Sequence, residues 1–293
     1  MKSLINYYYN LYPENIQKMY GGYYFDVNNV NYLLTELKVP AKQTLDIYQE
    51  LMNNRLSYFL IISNKDGSPV SIFEEKEYIL YHLNCDYKET LKFGEQLYIP
   101  YPSDLNWGAL WTERINYYEV QINELAQEKK LILDSVNYYI GLAENAIFIA
   151  NKFYDGSESY IQHYRIGVPV KYADYFNPTN LVGDVYVRDI AEYIKSSFFS
   201  ERREDSFYIE YLSSFNYSPV TANLLMARLL YPSYYFDIFD EIILNDKPEN
   251  HLLPVLNMCY EFEELLAKIY LFLEQKYQIE HINWLKKRAI ALR

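Results

Sequence analysis

The sequence predicts an α+β protein, in which a small β-rich N-terminal lobe over residues 1–85 precedes a larger, predominantly helical lobe over residues 86–293. Two observations carry this prediction. Short runs rich in Tyr, Val, Ile and Leu, separated by turn residues, fill the first third of the chain, and such runs are typical of strands. Beyond residue 106, apolar residues recur with the spacing of amphipathic helices. The chain, with 293 residues of which half are hydrophobic, is long enough to bury a core in each lobe.

The small lobe is predicted to combine several strands with one helix. Its elements, in order, are strands at Tyr23–Val27 and Tyr32–Leu37, a helix at Ala41–Asn53, strands at Ser57–Ile62 and Val70–Phe73, and a short strand or helical turn at Tyr78–Leu83. Asn28 and Asn29 separate the first two strands and tolerate the positive φ of a tight hairpin turn. Pro40 fits the start of the helix because its ring fixes φ near the helical value.

The larger lobe is predicted as a series of helices interrupted by one irregular segment. The helices lie at Trp107–Leu125, Leu131–Ile149, Asp189–Phe199, Ser206–Leu212, from Ser218 to Pro232, at Tyr234–Leu244, within His251–Tyr277, and at Ile282–Leu292. Residues 151–188 instead hold Gly and Pro, with short β-like runs at Tyr160–Ile166 and Leu181–Val187. A loop-rich segment between helices is where a functional site is commonly built.

The charge balance argues against one class of partner. The formal net charge is -12, whereas a nucleic-acid surface needs clustered Lys and Arg to neutralise phosphates. The basic stretch Lys286-Lys287-Arg288, with Arg293, is too short to reverse this balance and is interpreted as a solvated helix end. We therefore expect no nucleic-acid partner.

Membrane and metal chemistry find little support in the sequence. No apolar run approaches the roughly 20 residues of a membrane helix, and the first 15 residues have neither a long apolar stretch nor the cleavage site of a signal peptide. We expect no membrane partner and folding in the cytoplasm. Cys85 and Cys259 lie far apart and are expected to be reduced core thiols. The four histidines lack the spacing of metal ligands: His82, His163, His251 and His281.

Tyrosine is the compositional outlier, with 35 Tyr against 15 Phe. In one interpretation, Tyr takes half-buried positions where its ring packs and its hydroxyl reaches water. In the other, exposed rings form aromatic interfaces or are cross-linked oxidatively in an extended assembly. Adjacent pairs such as Tyr117-Tyr118 and Tyr138-Tyr139 lie on helices, where neighbours point about 100° apart, so one ring of each pair is expected at the surface.

Three segments of the larger lobe carry a recognisable pattern. They are Trp107-Gly-Ala-Leu-Trp-Thr-Glu-Arg-Ile-Asn-Tyr-Tyr-Glu119, Leu181-Val-Gly-Asp-Val-Tyr-Val-Arg-Asp-Ile-Ala-Glu-Tyr-Ile194 and Ala227-Arg-Leu-Leu-Tyr-Pro-Ser-Tyr-Tyr-Phe236. In order and spacing they resemble the spore-coat CotS/YutH group within the aminoglycoside phosphotransferase superfamily. The resemblance implies the bilobed, protein-kinase-like fold of that superfamily.

The resemblance also places the candidate site, and there the sequence departs from working phosphotransferases. His163 matches the histidine of the family's catalytic segment, whereas Arg165 falls where the catalytic base Asp is expected. A guanidinium stays protonated and accepts no proton from a substrate. Asp184 matches the aspartate that holds magnesium, and Asp189 matches one that braces the catalytic loop.

Other parts of the expected machinery are missing from the sequence. No Asn follows Arg165 at the spacing of the helper residue, although Asn177 and Asn180 would serve in a shifted register. The hairpin over Tyr23–Leu37 has no Gly to cover phosphates. Lys38 and Lys42 flank a proline outside any predicted strand. Around the metal aspartate, an ion-pair cluster with Arg188 and Asp189 that caps a helix is the alternative to magnesium binding.

These observations lead to three functional hypotheses. The first is a non-catalytic kinase-like protein, without cofactors, that acts in endospore coat assembly through protein contacts. The resemblance then implies a location in the cytoplasm of the sporulating mother cell or in the spore coat. The second is a divergent phosphotransferase that uses ATP and Mg²⁺ at Asp184 and acts on a small molecule, a sugar or a coat protein. The third is a protein that binds a ligand without chemistry. His163, Arg165, Asp184 and Asp189 are vestigial candidates in the first and site residues in the second.

Overall fold

The computed structural model describes residues 1–19, 21–85, 89–91, 97–103, 105–155 and 158–291. Within them the predicted α+β class is confirmed, because an antiparallel sheet occupies the N-terminal part and helices make up most of the remainder. The chain forms two compact units, one of residues 1–101 and 160–184 and the other of residues 102–159 and 185–293. The lobe boundary between residues 85 and 86 stays a prediction, since residues 86–88 are not among those described.

The elements follow one another with few interruptions. In chain order they are α1 (Lys2–Tyr9), β1 (Gln17–Met19), β2 (Gly22–Val27), β3 (Val30–Glu36), α2 (Ala41–Asn53), β4 (Phe59–Ile62), β5 (Ser71–Phe73), β6 (Lys76–Leu83), α3 (Trp107–Leu125), α4 (Lys130–Phe153), β7 (Ser159–His163), α5 (Tyr172–Tyr175), β8 (Leu181–Val185), α6 (Val187–Glu201), α7 (Asp205–Ser213), α8 (Pro219–Leu230), α9 (Ser233–Leu244), α10 (Leu253–Leu256), α11 (Cys259–Lys276) and α12 (Asn283–Ala291). Short 3₁₀ helices lie at Pro178–Asn180 and Glu249–Leu252.

The sheet of the first unit runs in the order β1-β2-β3-β6-β4, with β5 paired to β6, and every pairing is antiparallel. The β2–β3 hairpin turns at Asn28 and Asn29, whose φ angles of 52° and 61° confirm the predicted turn. One face of the sheet packs on α1, because Leu4 and Ile5 are buried in the same cluster as Phe25. The sequence patterns missed α1, β1 and α5.

The ambiguous segment Tyr78–Leu83 is the central strand β6. Its residues pair with β3 on one side and with β4 on the other, as in Leu34 with Leu80 and Ile62 with Leu80. Both edges of its backbone are therefore satisfied by strands that are distant in sequence. A helical turn at this position would leave those partners without hydrogen bonds.

The second unit confirms the predicted helices, with ends displaced by a few residues. The stretch predicted within His251–Tyr277 divides into a 3₁₀ turn, α10 and α11. Asn106 caps α3, since its side chain accepts a hydrogen bond from the Ala109 backbone N–H at 3.1 Å. The basic residues 286–288 lie on α12, and Arg293 is outside the described residues. In the described ranges, no helix is both long and apolar enough to span a membrane.

The tyrosine pairs divide between core and surface as expected from helix geometry. Tyr117 is 43% exposed whereas Tyr118 is 1% exposed, and Tyr138 is 38% exposed whereas Tyr139 is 1% exposed. Both interpretations of the tyrosine excess therefore have residues that fit them. The cysteines differ from expectation: Cys85 and Cys259 form no disulfide within the described residues, but both are half-buried instead of lying in the core.

Candidate functional site

Three of the four candidate residues belong to the first unit. His163 ends β7, Arg165 lies in the loop that follows, and Asp184 lies in β8, which pairs with β7 in a two-stranded sheet. Asp189 lies in the first turn of α6, in the second unit. We therefore describe the two groups separately.

His163 is fixed inside the first unit. Its side chain is 1% exposed, and Nε2 lies 2.8 Å from the backbone carbonyl oxygen of Tyr175. Because a carbonyl oxygen only accepts, Nε2 carries the proton and donates it. The imidazole also packs on the Tyr175 ring, with centroids 4.3 Å apart. These contacts anchor α5 to the end of β7, so His163 has a clear structural task.

Arg165 places a half-buried cation in the loop after β7. Its Nη1 donates to the backbone carbonyl oxygen of Tyr164 at 3.0 Å, and its Cζ lies 5.1 Å from the centroid of the Tyr164 ring. The ammonium of Lys38 lies 5.6 Å from the same centroid. The loop thus holds two positive charges around one aromatic ring, a favourable cation–π arrangement. The loop therefore carries positive charge at Arg165, and the match of this residue to the position of the catalytic base stays a prediction.

The two asparagines considered for the helper role make structural hydrogen bonds. Asn180 Nδ2 donates to the backbone carbonyl oxygens of Arg165, at 2.9 Å, and Asp174, at 3.3 Å. The backbone carbonyl of Asn180 accepts a hydrogen bond from the Tyr164 N–H at 2.7 Å. Asn177 accepts hydrogen bonds from the backbone and hydroxyl of Thr179 and caps the 3₁₀ turn. Both side chains hold the loop shape, which is a task distinct from aligning a phosphate.

Asp174, in α5, is an acidic residue that the sequence reasoning missed. Asn180 holds its backbone beside that of Arg165. Burial raises the pKa of the Asp174 carboxyl, and the charges of Lys171 and His163 oppose that rise. A half-buried carboxyl with a raised pKa next to a His is typical of candidate acid–base groups. Its sequence context, Tyr-Ala-Asp-Tyr, matches no motif, so only the fold identifies it.

Asp184 is as deeply buried as Asp189. It is the fourth of the five residues of β8, all of which are buried. Its side chain is fully buried. Among the described residues, no group of three or more His, Cys, Asp and Glu side chains is arranged to hold a metal ion. The magnesium role of Asp184 and its ion-pair alternative both stay predictions.

The hairpin and the two lysines of the small lobe lie where the sequence predicts them. The hairpin of β2 and β3 turns on two asparagines and contains no Gly between Tyr23 and Glu36. Lys38 follows the end of β3 and Lys42 lies in α2, so neither lysine sits in a strand. Both side chains are exposed.

In the second unit, residues from the three segments that carry the family resemblance meet in one buried cluster. Glu192 of α6 lies 2.9 Å from Nε of Arg228 of α8 and 2.7 Å from Nζ of Lys195. The Arg228 guanidinium also lies over the rings of Trp107, at 5.3 Å, and Trp111, at 5.6 Å. All five side chains are buried. The signature residues of α3, α6 and α8 therefore stabilise one another.

Lys195 completes this cluster, although its importance was not visible in the sequence. Its ammonium donates to the carbonyl oxygens of Arg228 and Tyr231 and to the hydroxyl of Ser233. It thereby satisfies carbonyls at the end of α8 that have no partner within the helix. The Tyr231 ring stacks on Trp111 with centroids 4.4 Å apart. Asp189 and Arg188, at the start of the same α6, are also buried.

Comparisons with known proteins agree with this arrangement. The family model described as "Spore coat putative kinase YutH" matches residues 2–268. A Bacillus subtilis protein, the endospore coat-associated protein YutH, is 28% identical over 209 residues, which are 62% of this chain and 61% of that protein. The chain thus spans about three-fifths of the length of that relative.

Solved structures show the same fold at low sequence identity. An aminoglycoside phosphotransferase from Alicyclobacillus acidocaldarius superposes with a TM-score of 0.61 at 10% identity, covering 94% of this chain and 96% of that one. A spectinomycin phosphotransferase in complex with ADP and spectinomycin gives 0.57 at 11% identity, covering 99% and 96%. An amicoumacin kinase gives 0.52 at 12% identity, covering 90% and 91%. The predicted kinase-like, aminoglycoside phosphotransferase-like fold is confirmed.

Proposed function

Because this chain belongs to the spore coat YutH family, we propose that it is a kinase-like protein of the bacterial endospore coat that acts through protein contacts and transfers no phosphate. The family match and the coat association printed in the name of its B. subtilis relative support the location. On this proposal the protein is found in the mother cell during sporulation or in the coat itself, and its partners are coat proteins.

The observation that carries the non-catalytic part is Arg165. Phosphoryl transfer requires a carboxylate that orients the acceptor hydroxyl and takes its proton. At the matching position this chain has a guanidinium that lies against the Tyr164 ring, with the ammonium of Lys38 beside the same ring. The backbone carbonyl of Arg165 accepts a hydrogen bond from Asn180, one of the two asparagines that would serve as helper in a shifted register. A guanidinium at this position stays protonated and cannot take a proton from the acceptor hydroxyl.

Nucleotide binding and phosphate transfer test the proposal. Isothermal calorimetry with ATP, with and without Mg²⁺, and a radiolabelled phosphate-transfer assay should detect neither binding nor transfer with the wild-type protein. Asp184→Asn serves as the matched variant, because the buried side chain keeps its shape and loses its charge. Magnesium-dependent ATP binding that disappears in Asp184→Asn would contradict the non-catalytic proposal. ATP binding that is indifferent to Mg²⁺ and to this substitution would indicate ligand binding without chemistry.

Asp174 favours one alternative, a divergent phosphotransferase. Burial raises the pKa of this carboxyl, and Asn180 donates hydrogen bonds to the backbone carbonyls of both Asp174 and Arg165. In this alternative Asp184 holds Mg²⁺ and Asp174 replaces the missing base, acting on a small molecule, a sugar or a coat protein. ATP hydrolysis that Asp174→Asn abolishes, with ATP affinity unchanged, would support it. We expect no such hydrolysis.

A further inference from the structure

Two neighbouring cavities, both widely open to solvent, lie at the surface of the second unit where α6 ends and α7 begins. One, of about 550 Å³, is lined by residues between Glu201 and Glu210. The other, of about 470 Å³, extends to the start of α11. Arg202 and Arg203 line both. The cavities lie about 20 Å along α6 from Asp189, at 1.5 Å per residue.

The charges around the cavities are only partly paired. Arg203 Nε lies 2.7 Å from Glu201, and Lys268 Nζ lies 2.5 Å from Asp205. Arg202 is exposed and makes no ion pair within the described part of the chain. Within the same ranges, four further carboxylates that line the cavities also make no ion pair: Glu204, Glu210, Glu261 and Glu264. Apart from the charges that are paired, the described lining residues therefore carry four carboxylates and one cation, Arg202.

The smaller cavity also has an apolar floor. Phe198 of α6 and Met258, immediately before α11, are 5% and 7% exposed and both line it. Glu261 and Glu264 are one helical turn apart on α11 and lie on the same side of that helix. An apolar floor below two carboxylates matches a long basic side chain, whose aliphatic stem seeks apolar contact and whose head seeks a counter-charge. The volume is ample for one such side chain and its flanking backbone.

We propose that these cavities bind a basic segment of a partner protein. A Lys or Arg side chain of that segment lies with its stem on Phe198 and Met258 and its charged head between Glu261 and Glu264, and Arg202 donates to carbonyl oxygens of the segment backbone. The net charge of -12 attracts such a partner over long range. In the described residues no cluster of three or more His, Cys, Asp and Glu side chains is arranged to hold a metal ion. The inference rests on the proposed action through protein contacts.

Peptide binding tests this inference. The probe is a fluorescein-labelled synthetic peptide of alternating Lys and Leu, measured by fluorescence anisotropy at low and at physiological ionic strength. The wild-type protein should bind it, and Glu261→Gln/Glu264→Gln should weaken binding about tenfold. The control is Glu124→Gln/Glu128→Gln, which removes the same charge from exposed positions on the second unit. The control should keep wild-type affinity within about twofold.

Three outcomes would overturn the inference. They are absence of binding to the wild type, an equal loss in both double variants, and equally tight binding of spermine, a polyamine without apolar side chains. Far-ultraviolet circular dichroism of each variant verifies that all are folded. The peptide measurement needs neither ATP nor Mg²⁺. A failure here therefore leaves the absence of phosphate transfer untouched, and phosphate transfer would leave the peptide result standing.

Discussion

Glu192 accepts a hydrogen bond from Nε of Arg228 at 2.9 Å, and the two side chains are almost completely buried. The same carboxylate oxygen lies 2.7 Å from Nζ of Lys195. One buried acid thus faces two buried bases, in contact with the indole rings of Trp107 and Trp111. The segments that identify the family are therefore joined by a structural cluster in the second unit.

Removing the acid from this cluster should destabilise the protein strongly. Glu192→Ala removes the carboxylate that faces buried Arg228 and Lys195, and breaking a buried pair in this way costs about 3–5 kcal/mol. Urea denaturation followed by circular dichroism measures the change. The control is Arg203→Ala, which breaks the more exposed pair with Glu201 at the end of α6 and should cost about 0–1 kcal/mol. Equal losses in both variants would contradict a special role for the cluster.

The features of the fold that the sequence predicts best are turns and helix starts, because they depend on local residues. Asn28-Asn29 fixed a turn, and Pro40 and Ser218-Pro219 fixed helix starts, because each of these residues constrains its own backbone. The strand β6 stayed ambiguous because its pairing with β3 and β4 joins residues far apart in sequence. Local patterns carry no information about such partners.

The candidate site was predictable to a smaller extent. The resemblance located His163, Arg165 and Asp184, but the tasks of their neighbours depend on three-dimensional contacts. Asp174 could not be predicted as a candidate, because its raised pKa comes from burial, near Lys171 and His163, in the folded protein. Lys195 reads as an exposed helical lysine, yet its ammonium is buried among carbonyl oxygens. The identity of a charged residue does not by itself indicate whether the fold buries its side chain.

The start of α8 should be sensitive to one hydroxyl. Ser218 Oγ accepts from the backbone N–H of Thr221 at 3.1 Å, and Thr221 Oγ1 accepts from the Ser218 N–H at 2.8 Å, which forms a capping box. Ser218→Ala should therefore lower the free energy of unfolding by about 1 kcal/mol. Thermal unfolding measures the effect. Ser213→Ala, at the exposed end of α7, is the control, and an equal loss there would argue against a capping contribution.

Asp174 should make stability depend on pH in a defined direction. Burial raises the pKa of its carboxyl above the ordinary value of 3.8 in the folded state. The folded protein therefore holds this proton more tightly than the unfolded chain, and stability is lost as pH rises through the folded-state pKa. Asp174→Asn removes the effect.

Denaturation of this variant at several pH values measures the difference. Asp174→Asn should be more stable than wild type at pH 7, and the two should converge below about pH 3, where the carboxyl of the wild type is protonated in both the folded and the unfolded state. Asp66→Asn, in an exposed turn, serves as the control. A gain that is constant across pH would mean that the carboxyl charge is not its cause.

Tyr81 of β6 offers the sharpest test of a buried phenol. Its side chain is fully buried, and within the described residues its hydroxyl has no hydrogen-bond partner. Burial raises the pKa of Tyr81 well above 10.0, and the phenols of Tyr48 and Tyr9 add to the rise. The cost of an unsatisfied buried hydroxyl predicts that Tyr81→Phe stabilises the protein by about 1–3 kcal/mol at neutral pH.

The same phenol gives a second, pH-dependent readout. Its raised pKa means that the stability of the wild type is fully present below pH 10 and falls as the pH rises above it, because the unfolded chain releases this proton first. The phenylalanine variant should therefore lose less stability in alkali than the wild type, as measured by urea denaturation at pH 9 and above. Tyr12→Phe is the control, since Tyr12 is 64% exposed. This substitution should leave the free energy of unfolding unchanged both at neutral pH and at pH 9 and above. Destabilisation by Tyr81→Phe at neutral pH would mean that the hydroxyl makes a favourable contact in solution.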